Sequence, residues 1–107
     1  MKVLLSLATL ISLSSFAAPQ FDLCLGEAKK SFLGKNGPRG ARSVENGYIL
    51  KTGETIKDLY KNDIKSFDQN VVVYRGTGSY YSGWFEYAIA LDPATCEHLG
   101  SFETYSE

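Results

Sequence analysis

One arginine stands where the sequence could support phosphate or acid–base chemistry. Arg75 follows the apolar run Val71–Tyr74 and precedes Gly76, so we expect it at the end of a strand. A guanidinium offers a planar set of donors that suits a phosphate or a carboxylate. Five acidic residues C-terminal to Arg75 could supply the second group: Glu86, Asp92, Glu97, Glu103 and Glu107. The pattern permits a small enzyme that uses Arg75 and a carboxylate, although a structural arginine explains it more simply.

Residues for other kinds of catalysis are scarce. The chain has one histidine, His98, and two cysteines, which excludes most all-protein zinc sites and most Ser-His-Asp or Cys-His arrangements. Gly76-x-Gly78 lacks the third glycine of a nucleotide-binding fingerprint. We therefore predict a non-enzymatic protein with no catalytic set, no metal and no cofactor.

The string Tyr74-Arg75-Gly76 resembles the first motif of some ADP-ribosyltransferases. The resemblance implies that Arg75 would pair with a phosphate of a dinucleotide. That family also needs a Ser-Thr-Ser strand and a Glu-x-Glu or Gln-x-Glu pair. Only residues 79–82 and 103–107 could serve here, and their spacing differs from the family's. An ADP-ribosyltransferase-like enzyme is thus the alternative hypothesis.

Aromatic residues are concentrated around one Gly/Ser-rich segment. The alternation of residues 84–91 predicts core positions for Phe85 and Tyr87. It predicts no such position for Tyr80, Tyr81 and Trp84. Loops often carry function, and exposed aromatic rings offer a large contact area with a polar tip. Tyr80, Tyr81 and Trp84 are therefore candidate binding residues, unless they only cover the open end of a small sheet.

Charge is segregated along the chain, although the total is only −1. Residues 29–42 contain five cations and no acid, whereas no Lys or Arg follows Arg75. Lys35, Arg39 and Arg42 are the candidate binding residues of this basic segment, unless it is simply a solvated loop. The near-neutral total disfavours general binding to nucleic acid.

The first residues have the pattern of an export signal. Lys2 is followed by the apolar run Val3–Phe16 and by small residues at 17 and 18. The run is shorter than the roughly 20 residues of a membrane span, and no second apolar segment follows. We predict a cleaved signal peptide over residues 1–17, a single domain over residues 18–107, and export to the periplasm or the exterior.

The two cysteines are interpreted as a pair. Exported proteins meet an oxidising environment, in which an even number of cysteines favours disulfides. Cys24 and Cys96 are the only candidates, so an intramolecular bond must join them. Pairing between two chains and a reactive thiol near His98 are the alternatives.

The periodicity of the mature chain predicts an α+β fold, in which one or two helices pack on an antiparallel sheet of about four strands. Residues 20–33 and 55–67 have helical spacing of apolar residues. Residues 84–91 alternate as a half-buried strand. Further strands are predicted at 43–51, 71–74 and 96–103, with a loop over 76–83.

The segment Phe85–Thr95 resembles the closing hairpin of a PepSY domain, where a strand meets an Asp-containing turn. Together with the N-terminal helix, it is similar to small exported domains of the PepSY and cystatin-like kind. Cys96 stands where a glycine often follows in that pattern. The resemblance implies binding or inhibition of peptidases, and it assigns no site residue.

These observations favour a small exported protein that acts by binding a protein or peptide partner, an inhibitor-like module being one form. We expect the segment Tyr80–Trp84 to be the contact surface, assisted by the basic loop at 35–42. A structural component of the cell envelope, without a discrete site, is the third hypothesis.

Overall fold

The computed structural model of the chain describes residues 19–107, with side chains from Leu23 onward. The predicted signal peptide lies outside the described residues. The described elements are α1 (Pro19–Leu33), β1 (Ala41–Leu50), β2 (Thr55–Lys57), β3 (Asp63–Ser66), β4 (Val71–Ser79), β5 (Trp84–Leu91) and β6 (His98–Ser106). In this part of the chain, no helix is both long enough and apolar enough to cross a lipid bilayer.

Four strands form one antiparallel sheet in the order β1-β4-β5-β6, and β2 pairs with β3 in a separate hairpin. Helix α1 covers one face of the sheet, where its residues join Val72 and Tyr74 in a buried cluster. The hairpin covers part of the other face, where Ile56 joins Val71 and Val73. The architecture confirms the predicted α+β fold, with one helix.

Both faces of β5 are buried along its second half, which corrects the prediction of a half-buried strand. Ile89 belongs to the cluster under α1, whereas Ala88 and Ala90 belong to the cluster under the hairpin. Alternate residues of a strand point to opposite faces, so a sheet that is covered on both sides buries consecutive residues. The unpredicted hairpin supplies part of this second cover through Ile56 and Ile64, together with Phe67, Leu99 and Phe102.

Helix α1 buries one stripe of side chains and is tied down near its N-terminal end. Cys24, Ala28 and Phe32 are fully buried, whereas Leu23 is exposed. Lys30 lies in the last turn, where a cation opposes the helix dipole. Cys24 forms the predicted disulfide with Cys96, and their Cα atoms are 5.1 Å apart. The bond links α1 to the loop between β5 and β6.

The predicted helix at 55–67 is wrong, because these residues form the β2–β3 hairpin. Asp58 closes its turn by accepting hydrogen bonds from the backbone nitrogens of Tyr60 (2.9 Å) and Asn62 (2.8 Å). Lys61 adopts a left-handed φ of 70°, which a helix does not allow. Ile56 is buried on the sheet, while Tyr60 is exposed. The helical spacing was therefore coincidental.

The predicted loop over 76–83 is also wrong in its first half, since β4 continues to Ser79. Gly76 and Gly78 face the helix side of the sheet, where aromatic rings need room. A Cβ at Gly78 would lie 2.3 Å from Cζ of Phe85, and one at Gly76 would lie 2.8 Å from a ring carbon of Phe32. These glycines mark close packing and not a flexible loop.

Candidate functional site

Three segments meet at one end of the sheet, which we call the turn end: residues 39–42, 79–84 and 105–107. The backbone nitrogen of Ser79 donates to the carbonyl of Gly40 (3.0 Å), which places the start of β1 beside the β4–β5 turn. Tyr80 N donates to Gly83 O (2.7 Å) and closes that turn. Glu107 N donates to Trp84 O (3.0 Å), which brings the end of β6 alongside.

The three candidate aromatic residues take different positions at the turn end. The Tyr80 ring packs on Phe85, with ring centroids 4.9 Å apart, on the helix side of the sheet. Trp84 packs on Tyr105, with centroids 4.6 Å apart, on the hairpin side. Tyr81 lies at the tip and is fully exposed. The aromatic residues thus surround the turn and do not form one flat patch.

The structure brings part of the basic segment to the same place. Arg42 Nε donates to Ser79 Oγ (2.7 Å), and Arg39 directly precedes Gly40. Lys35 is exposed in the loop that follows α1, without a described contact to the turn. Within residues 23–107, Lys35, Arg39 and Arg42 form no ion pair.

Acidic residues lie on the other side of the turn, along β6. Glu103 Oε2 is 3.5 Å from the Tyr80 hydroxyl, which also contacts Ser106 Oγ at 3.1 Å. Burial raises the pKa of Tyr87, and the nearby Glu103 and Tyr80 raise it further. Because β1 and β6 are opposite edges of the sheet, the turn end is basic at one side and acidic at the other.

Arg75 is engaged within its own sheet. Its Nε donates to Glu86 Oε1 (2.9 Å), and its Nη1 lies 4.0 Å from Glu45 Oε2. Glu86 Oε2 also accepts from the hydroxyl of Thr104 (3.0 Å). A guanidinium held between two carboxylates is poorly placed to bind a phosphate, so the geometry does not favour the alternative enzyme.

A pocket of about 270 Å³ lies between the β2–β3 hairpin and the sheet. The hairpin crosses the sheet face from β1 to β6, where Leu59 N donates to Thr104 O (3.1 Å). The lining residues are Asn46, Tyr48, Ile56, Lys57, Val73, Tyr74, Arg75, Glu86, Tyr87, Ala88 and Thr104. Burial raises the pKa of Tyr48 above its usual value, and Glu54 adds to this effect.

This pocket could not be predicted while residues 55–67 were interpreted as a helix. Ile56, Val73 and Ala88 are among its lining residues, but they are almost fully buried and pack together in the core on the hairpin side. The local signal was a pair of small residues, Ala88 and Ala90, on one face of an alternating strand. A small side chain opposite a covering element leaves space, but the covering element has to be known first.

His98 and the carboxylates do not assemble a further centre. His98 Nε2 lies 2.9 Å from Ser101 Oγ, and both side chains are on the surface of β6. Among the described residues, no three His, Cys, Asp or Glu side chains are grouped so that they could hold a metal ion. Comparison of the chain with protein-family models, with curated proteins and with solved structures gives no match.

Proposed function

We propose that this chain is a small exported, disulfide-bonded protein without enzymatic activity, and that it binds a protein or peptide partner through the turn end of its sheet. The observation that carries the proposal is the position of Tyr81. Its side chain is fully exposed at the tip of a turn that backbone hydrogen bonds hold in place. A large aromatic ring presented on a fixed turn loses little entropy on binding, which suits a protein contact.

The surroundings of Tyr81 support a protein or peptide as the partner. Trp84 and Arg42 flank it, and aromatic residues with arginine are the types that dominate binding energy at protein interfaces. The basic β1 side and the acidic β6 side would orient a partner segment that carries the opposite charges. Export is supported by the signal-like start of the sequence and by the disulfide.

The proposal is tested by a photo-reactive residue at position 81 of the exported chain. A matched chain carries the same residue at Ala94, which is exposed at the opposite end of the sheet. We expect a discrete crosslinked partner from position 81 and none from position 94. Adding Trp84→Ala should reduce the yield of the crosslinked partner at least tenfold, because truncating an aromatic anchor at an interface costs about 2 kcal/mol or more of binding free energy. Equal crosslinking from both positions would contradict the proposal.

Trp84 supplies a second readout, because it is the one tryptophan of the chain. Its emission should change when the crosslinked partner is added, and Tyr81→Ala should shift the titration to higher concentration. Assembly of the chain without any partner would favour the structural envelope hypothesis. Thermal protection by a dinucleotide, lost in Arg75→Lys, would favour the enzyme.

The intact mass of the exported protein tests its maturation. We expect a chain that begins at Ala18 and has a mass two hydrogens below that of the reduced form. No thiol should react with an alkylating agent before reduction. Retention of residues 1–17, or free thiols at Cys24 and Cys96, would contradict the export part of the proposal.

A further inference from the structure

Three aromatic side chains form a continuous row on the hairpin side of the turn end. The ring centroids of Trp84 and Tyr105 are 4.6 Å apart, and those of Tyr105 and Tyr60 are 6.2 Å apart. Trp84 is 36% exposed and Tyr60 is 70% exposed, so the rings are accessible from solvent. This aromatic row runs from the end of the sheet to the turn of the β2–β3 hairpin.

A carboxylate lies beside the aromatic row. Glu107 N donates to Trp84 O (3.0 Å), and the next residues, Phe85 and Ser106, are paired in the register of β5 and β6. Trp84 and Glu107 are therefore opposite residues of antiparallel strands, and their side chains leave the sheet on the same face. Desolvation raises the pKa of Tyr105, and the negative charge of Glu107 raises it further. The charge of Glu107 thus acts on the middle of the row.

The chain does not neutralise this carboxylate itself. Within residues 23–107, Glu107 takes part in no ion pair, whereas Glu86 on the same face is paired with Arg75. Lys65 over Phe67 is the only contact between a cation and an aromatic ring in the same residues. No cation of the described chain therefore pairs with Glu107 or covers the rings of the aromatic row.

A fixed cation on the other side of Trp84 gives the face a direction. Ser79 is paired with Trp84 in the register of β4 and β5, and the hydroxyl of Ser79 accepts from Arg42 Nε (2.7 Å). Positive charge thus lies toward β1, and negative charge lies toward β6. A cation that binds near Trp84 is drawn toward Glu107 and away from Arg42.

These features together fit the side chain of an arginine. The faces of Trp and Tyr rings attract cations, and Trp does so most strongly. A guanidinium is planar, so it stacks on a ring while its edge donates to a carboxylate, which an ammonium group does not combine. A neutral occupant would also cover the rings, but it would desolvate Glu107 without a counter-charge.

We propose that the aromatic row and Glu107 bind an arginine side chain, and that this arginine belongs to the partner that contacts the turn end. The guanidinium stacks on Trp84 and donates to the carboxylate of Glu107. Its methylene stem packs along Tyr105 toward Tyr60. The assignment of the arginine to the partner rests on the proposed function, whereas binding of a guanidinium to the row does not.

The first test is NMR of the full mature chain with N-acetyl-arginine N-methylamide. Trp84 is the one tryptophan, so its indole N–H gives a single resonance. This resonance should shift and saturate with a dissociation constant on the order of 10 mM. The citrulline compound, in which a neutral urea replaces the guanidinium, should bind about tenfold more weakly. Equal binding of the two compounds, or no saturable shift with arginine, would overturn the proposal.

The lysine compound tests the shape of the cation. N-acetyl-lysine N-methylamide carries the same charge but cannot stack and donate two parallel hydrogen bonds at once. We expect it to bind about threefold more weakly than the arginine compound. Equal or tighter binding of lysine would overturn the assignment to a guanidinium.

Matched variants locate the site. Glu107→Gln removes the counter-charge and should weaken the arginine compound about threefold, whereas Glu97→Gln, an exposed acid at the opposite end of the sheet, should leave its affinity unchanged. Tyr105→Leu should also weaken it about threefold, with the exposed Tyr48→Leu as its control. An equal effect within either pair would overturn the site. Glu107→Gln changes only an exposed side chain and decides the question if Tyr105→Leu fails to fold.

A competition experiment separates this inference from the proposed function. Saturating N-acetyl-arginine N-methylamide should reduce crosslinking from position 81, and the citrulline compound at the same concentration should not. If the arginine compound binds without reducing the crosslink, the partner's arginine is wrongly assigned and the turn-end function stands. If no partner crosslinks but the arginine compound binds, the proposed function is wrong, and the aromatic row remains a guanidinium site.

Discussion

Three aspartates carry the clearest electrostatic signature at the scale of single residues. A hydrogen bond from the backbone of Asn62 lowers the pKa of Asp58. The pKa of Asp63 is lowered by a hydrogen bond from Lys57, and that of Asp92 by one from the backbone of Ala94. All three lie at the surface, Asp63 exposed and Asp58 and Asp92 partly exposed, so each contribution to stability is small. Their common direction still makes the acid response of the protein predictable.

A carboxyl group whose pKa is lower in the folded state stabilises that state above its unfolded pKa, and the gain disappears as the pH falls through the folded pKa. We therefore expect the urea concentration at the midpoint of unfolding to decrease as the pH is lowered below about 4. Asp58→Asn keeps an acceptor in the hairpin turn but cannot titrate. It should lose less stability between pH 5 and pH 2 than the original chain, and an identical loss would contradict this assignment.

The polar network on the hairpin side gives a second prediction at this scale. Thr104 is buried, and its hydroxyl donates to Glu86 Oε2 (3.0 Å) and contacts Glu86 O (3.1 Å). Thr104→Val keeps the shape but leaves these oxygens without that donor. We expect a loss of about 1–2 kcal/mol in the free energy of unfolding. Thr52→Val is the control for an exposed site, because the Thr52 hydroxyl donates to Asn70 Oδ1 (3.1 Å) at the surface, where water can replace it. An equal effect of both substitutions would contradict the network.

At the scale of elements, the β2–β3 hairpin decides both the second core and the pocket. Ile56 is its one fully buried side chain, whereas Leu59 in its turn is 48% exposed. We expect Ile56→Ala to cost about 2–5 kcal/mol in denaturant unfolding. Leu59→Ala should stay within about 0.5 kcal/mol. Similar losses of stability for Ile56→Ala and Leu59→Ala would contradict the hairpin and favour a helix that buries both residues.

The glycines of β4 give a second prediction for an element. Gly78→Ala would press a methyl group against Phe85 and against the carbonyl of Gly40, 2.4 Å away. Overpacking of this kind costs about 1–3 kcal/mol. Gly26→Ala is the matched control, since nothing lies within 4 Å of its Cβ position in α1. It should stabilise the protein by up to about 1 kcal/mol. A loss from both substitutions would contradict the packing argument.

At the scale of the whole molecule, the disulfide joins elements that are far apart in sequence. Cys24 and Cys96 are separated by 72 residues, so the bond restricts most of the unfolded chain. We expect Cys24→Ala with Cys96→Ala to lower the free energy of unfolding by about 4 kcal/mol. Chemical reduction of the original chain should give a similar loss. An unchanged unfolding midpoint would show that the bond contributes little to the folded state.

Several features of this protein followed from the sequence by itself. The helix over 20–33, the strand over 84–91 and the α+β class were predicted from spacing that depends only on neighbouring residues. The pairing of Cys24 with Cys96 was predicted because the chain offers no other partner. The clustering of candidate binding residues in two segments could also be read directly, although their function stays a prediction.

The tertiary structure alone decided the remaining features. Ile56, Leu59 and Tyr60 fit a helix in sequence, but the apolar face formed by Val71 and Val73 needed a cover that crosses the sheet. Gly78 lies within a strand because Phe85, a neighbour across the sheet, occupies the space of a side chain. The pocket and the meeting of Arg42 with the aromatic turn depend on the same kind of contact. Such contacts join residues far apart in the chain, and local periodicity does not encode them.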